Sequence, residues 1–188
     1  MTLALAGRLN LMVDYLASQN PNQRSESFRL ADSIAHTKGY ADKWKHIRRG
    51  LVSTIGFYLY YKGKYGDSVS LPTPEQDVDQ AIDLIIGDTY VQLKAKKAAG
   101  EPLIFYDYQD LEAHTTTQIS NMDETNPQSL SEIKRLKKDL KGFERLEQSA
   151  SNQGKKAAFL IAPTSTFDSE TAEMSGRHSL PDLEVILN

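Results

Sequence analysis

A chain of 188 residues with 39% hydrophobic and 25% charged residues is long enough for one domain with a sizeable core. No apolar run approaches the roughly 18 residues that a membrane-spanning helix needs. The net charge is −3, and the absence of cysteine excludes disulfides, zinc-thiolate sites and thiol nucleophiles, so the simplest reading is a cytoplasmic protein.

The opening stretch "MTLALAGRLNLMVDYLASQN" mixes Arg8, Asn10 and Asp14 into its apolar residues. It reads as an amphipathic helix rather than a signal peptide, with Leu5, Leu9, Met12, Val13 and Leu16 at helical spacing. "NPNQ" breaks this run. A second helix follows with Ser25 as its expected cap, burying Phe28, Ala31, Ile34 and Ala35. A third runs from about Tyr40 to Tyr61, with Trp44, Ile47, Leu51, Ile55 and Leu59 on one side, weakened by Gly50 and Gly56. "SLPTPEQD" is expected to be a loop. "PLIFYDY" (102–108) offers a strand, and the polar stretch 112–128 reads as a long loop. The clearest helix spans Ser129 to Gln148, with Leu130, Ile133, Leu136, Leu140, Phe143 and Leu146 on one face. "KKAAFLIA" then reads as a buried strand. After Pro163 the chain turns polar, and only "LEVIL" looks able to order. The expected fold is α+β, a mixed sheet flanked by helices. It comprises a helical N-terminal region (residues 1–70), a core (residues 75–162) and a polar tail (residues 163–188) in one domain.

Residues 81–96, "AIDLIIGDTYVQLKAK", carry the chemistry. Gly87-Asp88 suits a two-residue type II′ turn, because glycine tolerates the positive φ of its first central position. Counting outward, Ile86 meets Thr89, Leu84 meets Val91, and Asp83 meets Gln92. Side chains alternate along each strand, so one face would hold Ile82, Leu84, Ile86, Val91 and Leu93. The other would hold Asp83 across from Gln92, with Lys94 beside them. Two oxygen ligands can hold a divalent cation, and a lysine can orient water or stabilise charge developing on a phosphoryl group.

The pattern Asp83…Gln92-Leu93-Lys94 resembles the PD-(D/E)xK nuclease family, which includes type II restriction endonucleases. The order of helices, hairpin, helix and strand over residues 75–162 is similar too. Position 92 is Gln where most of the family has Glu or Asp, and Ile82 stands where Pro is usual. The resemblance implies a Mg²⁺-dependent DNA endonuclease (Mn²⁺ as substitute) acting as a homodimer on double-stranded DNA. Asp83 and Gln92 would hold the metal, and Lys94 would position the attacking water. For the helix-borne acid that often completes such sites, Glu26 is the first candidate, followed by Glu75 and Asp79.

Between Lys38 and Lys64 the chain has seven basic residues against Asp42 alone. Lys43, Lys45, Arg48 and Arg49 are therefore candidates for phosphate contacts. A second cluster comprises Lys134, Arg135, Lys137, Lys138, Lys141 and Arg145. His114, Thr116 and Gln118, within the polar stretch after Lys94, are candidates for base contacts. The tyrosines at 58, 60, 61 and 65 can stack on bases, though such spacing more often means packing. His36, His46, His114 and His178 lack metal-ligand spacing. The competing reading is a non-catalytic, largely helical nucleic-acid-binding or phage or plasmid assembly protein.

Overall fold

The computed structural model describes residues 3–96 and 100–184. It is an α+β fold with a five-stranded mixed sheet in the order β1-β2-β3-β5-β4. Three helices come first: α1 (Leu3–Ser18), α2 (Pro21–Thr37) and α3 (Ala41–Tyr65). The strands are β1 (Val69–Ser70), β2 (Leu84–Ile86), β3 (Thr89–Lys96), β4 (Leu103–Phe105) and β5 (Lys156–Pro163). Between them lie α4 (Pro74–Gln80), α5 (Tyr108–Ser120) and α6 (Pro127–Asn152). All neighbouring strands are antiparallel except β3 and β5, which run parallel in register from Thr89↔Lys156 to Lys96↔Pro163.

Alternation along β3 divides the core in two. Val91 and Leu93 join Leu84, Ile86 and the residues Leu51, Ile55 and Phe57 of α3 in one buried cluster. Tyr90 faces the other way, with Phe143 and Leu146 of α6 and with Phe159. The sheet is thus covered by α1–α3 on one face and by α6 on the other. From α1, Ala6, Val13 and Leu16 are buried; the side chain of Leu5 lies outside the described residues. Ile34 is exposed rather than buried, because α2 turns Phe28 and Ala35 inward instead.

The caps explain several departures from the sequence expectations. Asn20, not Ser25, caps α2: its side chain accepts from the Gln23 N–H while the Gln23 side chain accepts from the Asn20 N–H, and Ser25 lies buried within the helix. Thr73 and Gln76 form the same reciprocal pair, so "SLPTPEQD" starts a helix at Pro74. Asp107 accepts from the N–H groups of Gln109 and Asp110, which turns most of the expected loop into α5. Asn126 likewise starts α6 at Pro127, two residues before the expected Ser129.

Gly50 and Gly56 do not interrupt α3. A Cβ on Gly56 would lie 2.3 Å from the Phe167 ring, so the glycine admits that ring against the helix. Phe167 belongs to a C-terminal segment that is irregular but packed, with Ala172, Leu180 and Leu183 also buried. The hydroxyls of Tyr60 and Tyr61 donate to the carbonyls of Leu180 and Pro181, and the Leu183 N–H donates to the Tyr65 hydroxyl. These tyrosines therefore hold the chain's own backbone rather than facing outward as a stacking surface. Of the expected "LEVIL" segment, Val185–Leu187 lie outside the described residues.

Candidate functional site

The hairpin pairs as Leu84↔Val91, Ile85↔Tyr90 and Ile86↔Thr89. Gly87 has φ +56° and Asp88 does not share the positive range, as a type II′ turn requires. One step further the register changes. The Asp83 N–H donates to the Val91 carbonyl at 2.8 Å, offset by one from the ladder, and the chain bends at Asp83. Such a bulge re-aims the residues beside it. Ile82 accordingly leaves the Leu84–Ile86 face and packs with Tyr90 and Phe143. The expected sharing of one face by Asp83 and Gln92 is corrected in the same way.

Ala81, which ends α4, sits in the left-handed region with φ 59°. This costs about 1 kcal/mol for a residue with a Cβ, and it steers the chain into the bend at Asp83.

Instead of standing off one face, the Asp83 carboxylate continues the ladder. Its Oδ2 accepts the Leu93 N–H at 2.7 Å, so it lies in the plane of the sheet where β2 stops. From that edge it senses charges on both sides. Burial raises the Asp83 pKa, Lys94 and the Leu93 N–H lower it, and Asp139 of α6 raises it. The residue keeps some accessible surface, yet its carboxyl group is desolvated. On the other side stands Asp77 of α4, raised to about 6 by burial and by Asp83, with Lys94 opposing. A cavity of about 240 Å³ reaches both carboxylates and is bordered by Asn10, His46 and Thr54.

On the opposite face β3 and α6 run antiparallel as a series of rungs. Gln92 lies under Gly142, where a Cβ would approach its amide nitrogen to 2.8 Å. Lys94 Nζ is 3.5 Å from Asp139 Oδ1. Lys96 comes next, its pKa lowered by burial and influenced by Asp139, Arg135 and Glu132. Gln92 is only 5% exposed, and its Oε1 is a buried acceptor with no hydrogen-bond donor among the described residues. An orphaned oxygen of this kind carries a desolvation cost of about 1–3 kcal/mol unless a cation or a water meets it.

Asp139 thus pairs with the Lys94 ammonium, whose field also lowers the pKa values of Asp83 and Asp77 against their burial. Sequence reading missed Asp77 and Asp139. Its own candidates stand elsewhere: Glu75 and Asp79 are exposed on α4, flanking the inward-facing Asp77, and Glu26 is exposed on α2 beside Tyr15 and Leu30. Among the described residues, no three His, Cys, Asp or Glu side chains are already gathered as a metal-binding group.

The other candidates divide. Lys43 and Lys45 are exposed on α3. Arg48 is engaged within the fold: its guanidinium lies 3.5 Å from Asp32, donates to the Ser169 carbonyl at 3.0 Å and sits over the Phe28 ring. Arg49 borders a cleft of about 640 Å³ shared with Lys96, Arg135, Gln118 and Asn121. His114 and Gln118 lie one turn apart on α5, with nitrogens 3.0 Å from each other, and burial and Lys96 lower the His114 pKa. Thr116 is exposed on another side of that helix, so the structure does not bring it to them.

His178 Nε2 lies 3.2 Å from Ser165 Oγ, but the exposed Glu101 is 3.6 Å from Nδ1. That distance does not fix the imidazole tautomer, so the trio lacks the geometry of a nucleophilic triad. Comparison of the chain with family models, curated proteins and solved structures finds no match.

Proposed function

We propose that the protein is a metal-dependent DNA endonuclease whose site is built on Asp83, Gln92 and Lys94. The observation that carries this reading is the Lys94 ammonium 3.5 Å from Asp139, two residues along β3 from the buried Gln92 and one from Leu93, whose N–H donates to the desolvated Asp83 carboxylate. The order of helix, antiparallel hairpin, helix and parallel strand (α3, β2–β3, α6, β5) supports it, being the order that the resemblance to the PD-(D/E)xK nucleases implies.

The donor set suits Mg²⁺, which keeps several waters and is bound through one or two protein oxygens plus substrate phosphates. The residues that would hold it are Asp83, through its carboxylate, and Gln92, through the orphaned Oε1. Because the two do not share a face in this structure, they would meet one ion only after α6 moves off the amide. Bound there, the ion would polarise the phosphoryl group and ease deprotonation of a water. The chain's own residues do the remainder. Lys94 presents an ammonium to the water and to the charge developing on the phosphate. Asp139 limits the directions in which that ammonium can point. Exposed Lys43 and Lys45, together with Arg49, meet the backbone of a duplex and set its register without reading its sequence.

A non-catalytic nucleic-acid-binding protein is the second reading. The burial of Gln92 against Gly142 favours it, since a covered amide does not reach a metal without a shift of α6. The two separate in one assay. DNA of varied sequence is incubated with Mg²⁺ and either wild type or Lys94→Ala, while retention on the same DNA is followed by gel shift. The enzyme reading expects cleavage by wild type alone and equal retention by both. Retention with no cleavage by wild type in any sequence context selects the second reading.

A further inference from the structure

The cleft between α3, the end of β3 and the α5–α6 pair has a composition that the cleavage chemistry does not use. Three cations enter it from three different elements: Arg49 from α3, Lys96 from β3 and Arg135 from α6. Among the described residues one acid lines it, Glu132, and that carboxylate is already paired with Arg135. Among the described residues, the side chains of Arg49 and Lys96 make no hydrogen bond and no salt bridge. Lys96 is moreover partly desolvated, and burial lowers its pKa. A half-buried ammonium beside two guanidiniums, with Glu132 in the lining paired to Arg135 and Asp139 shared with Lys94, is an arrangement that an anion relieves. Low-dielectric walls concentrate the field of such a concave cluster on whatever enters.

The rest of the lining says which anion. A volume of about 640 Å³ exceeds what a bare phosphate needs and falls in the range of small-molecule sites. Gln118 and Asn121 of the α5 end bring amide donors and acceptors, the groups that pair with base edges, and Met122 brings an apolar surface. A second cavity, bordered by Lys45 and Arg48, shares Arg49 and Thr164 with the first, so the basic lining continues along α3.

We infer that this cleft seats a single nucleotide. Its phosphate lies among Arg49, Lys96 and Arg135, and its base lies over Met122 against the amides of Gln118 and Asn121. The ligand chemistry is a nucleoside monophosphate, whether free or as one unpaired unit of a strand whose next phosphate runs toward Lys45. The inference does not rest on the nuclease reading, because it concerns binding without metal.

Calorimetry in EDTA tests it with four ligands: inorganic phosphate, a deoxynucleoside, a 5′-deoxymononucleotide and a short single-stranded oligonucleotide. The mononucleotide is expected to bind, and to bind more tightly than either the phosphate or the nucleoside alone. Arg135→Ala, at a half-exposed helix position that folding tolerates, should weaken it by about tenfold or more, the loss of one charge-assisted hydrogen bond. Lys96→Met should do the same and Lys96→Arg should restore it, with circular dichroism confirming the fold of each. An oligonucleotide tighter than the mononucleotide, with both sensitive to Arg135→Ala, identifies the strand as the source. Comparable affinities identify the free nucleotide. Phosphate as tight as the mononucleotide, an oligonucleotide bound with no mononucleotide binding, or affinities unchanged in Arg135→Ala and Lys96→Met overturn the assignment. EDTA removes any cleavage, so failure here leaves the nuclease reading to its own assay.

Discussion

Two glycines six residues apart on α3 make opposite predictions for one substitution. Alanine in place of glycine within a helix gains about 1 kcal/mol of propensity. At Gly50, among the described residues, nothing beyond the chain neighbours and the helix's own backbone lies within 4 Å of the added Cβ, so Gly50→Ala should stabilise by about that amount. At Gly56 the added Cβ would fall 2.3, 2.5 and 2.6 Å from three atoms of the Phe167 ring. That ring is buried and meets Phe57 edge-on at 4.8 Å, so it cannot swing aside without opening its contacts. Overpacking of this kind costs about 1–3 kcal/mol, and the rigid ring places Gly56→Ala near the upper end. The net result is a destabilisation of about 1–2 kcal/mol, and a gap between the two variants of about 2–3 kcal/mol. Urea denaturation followed by circular dichroism measures both. If Gly56→Ala stabilises as much as Gly50→Ala, Phe167 does not pack on α3, and the C-terminal segment is not docked as described.

Asp77 gives a pH test. Its pKa is raised from 3.8 to about 6 in the folded protein, so the folded state holds the proton more tightly and stability falls as pH rises through that interval. Asp77→Asn should match wild type near pH 4 and exceed it at pH 8 by about 1–2 kcal/mol, allowing for screening at a half-buried site. An equal difference at both pH values, read from urea midpoints, contradicts the burial ascribed to this carboxylate. Arg48→Ala should destabilise by about 1–2 kcal/mol, because it removes the Asp32, Ser169 and Phe28 contacts together. Lys45→Ala should leave the melting temperature unchanged and flatten the salt dependence of DNA binding by about one unit of slope. The reverse pattern would exchange the roles of the two residues.

The hairpin was legible in the sequence because a Gly-Asp turn fixes the register and the apolar alternation fixes the faces. What failed was its last residue. Asp83 turns at a bulge that follows a left-handed Ala81, and alanine gives no sequence signal of positive φ. The helix α5 buries Leu111 and Thr115 as its inward residues, too thin a stripe to show periodicity. Its Asp107 cap was visible all the same, as was the Thr73-Pro74…Gln76 start of α4. Reading those caps would have placed Asp77 on a helix leading into the site. Asp139 was hidden for a different reason: it sits on the strongly charged side of α6 among lysines, and only the antiparallel packing of α6 on β3 sets it against Lys94.

The central claim is that Asp83 and Gln92 hold a divalent ion while Lys94 does not, and Mn²⁺ calorimetry addresses it directly. Wild type should bind the ion, and Asp83→Asn should abolish binding by removing the charged ligand. Gln92→Glu should tighten binding by adding a second charged ligand, and Lys94→Ala should leave the affinity nearly intact. Equal Mn²⁺ affinity in wild type, Asp83→Asn and Gln92→Glu would contradict the claim and leave an amphipathic hairpin covered by α6.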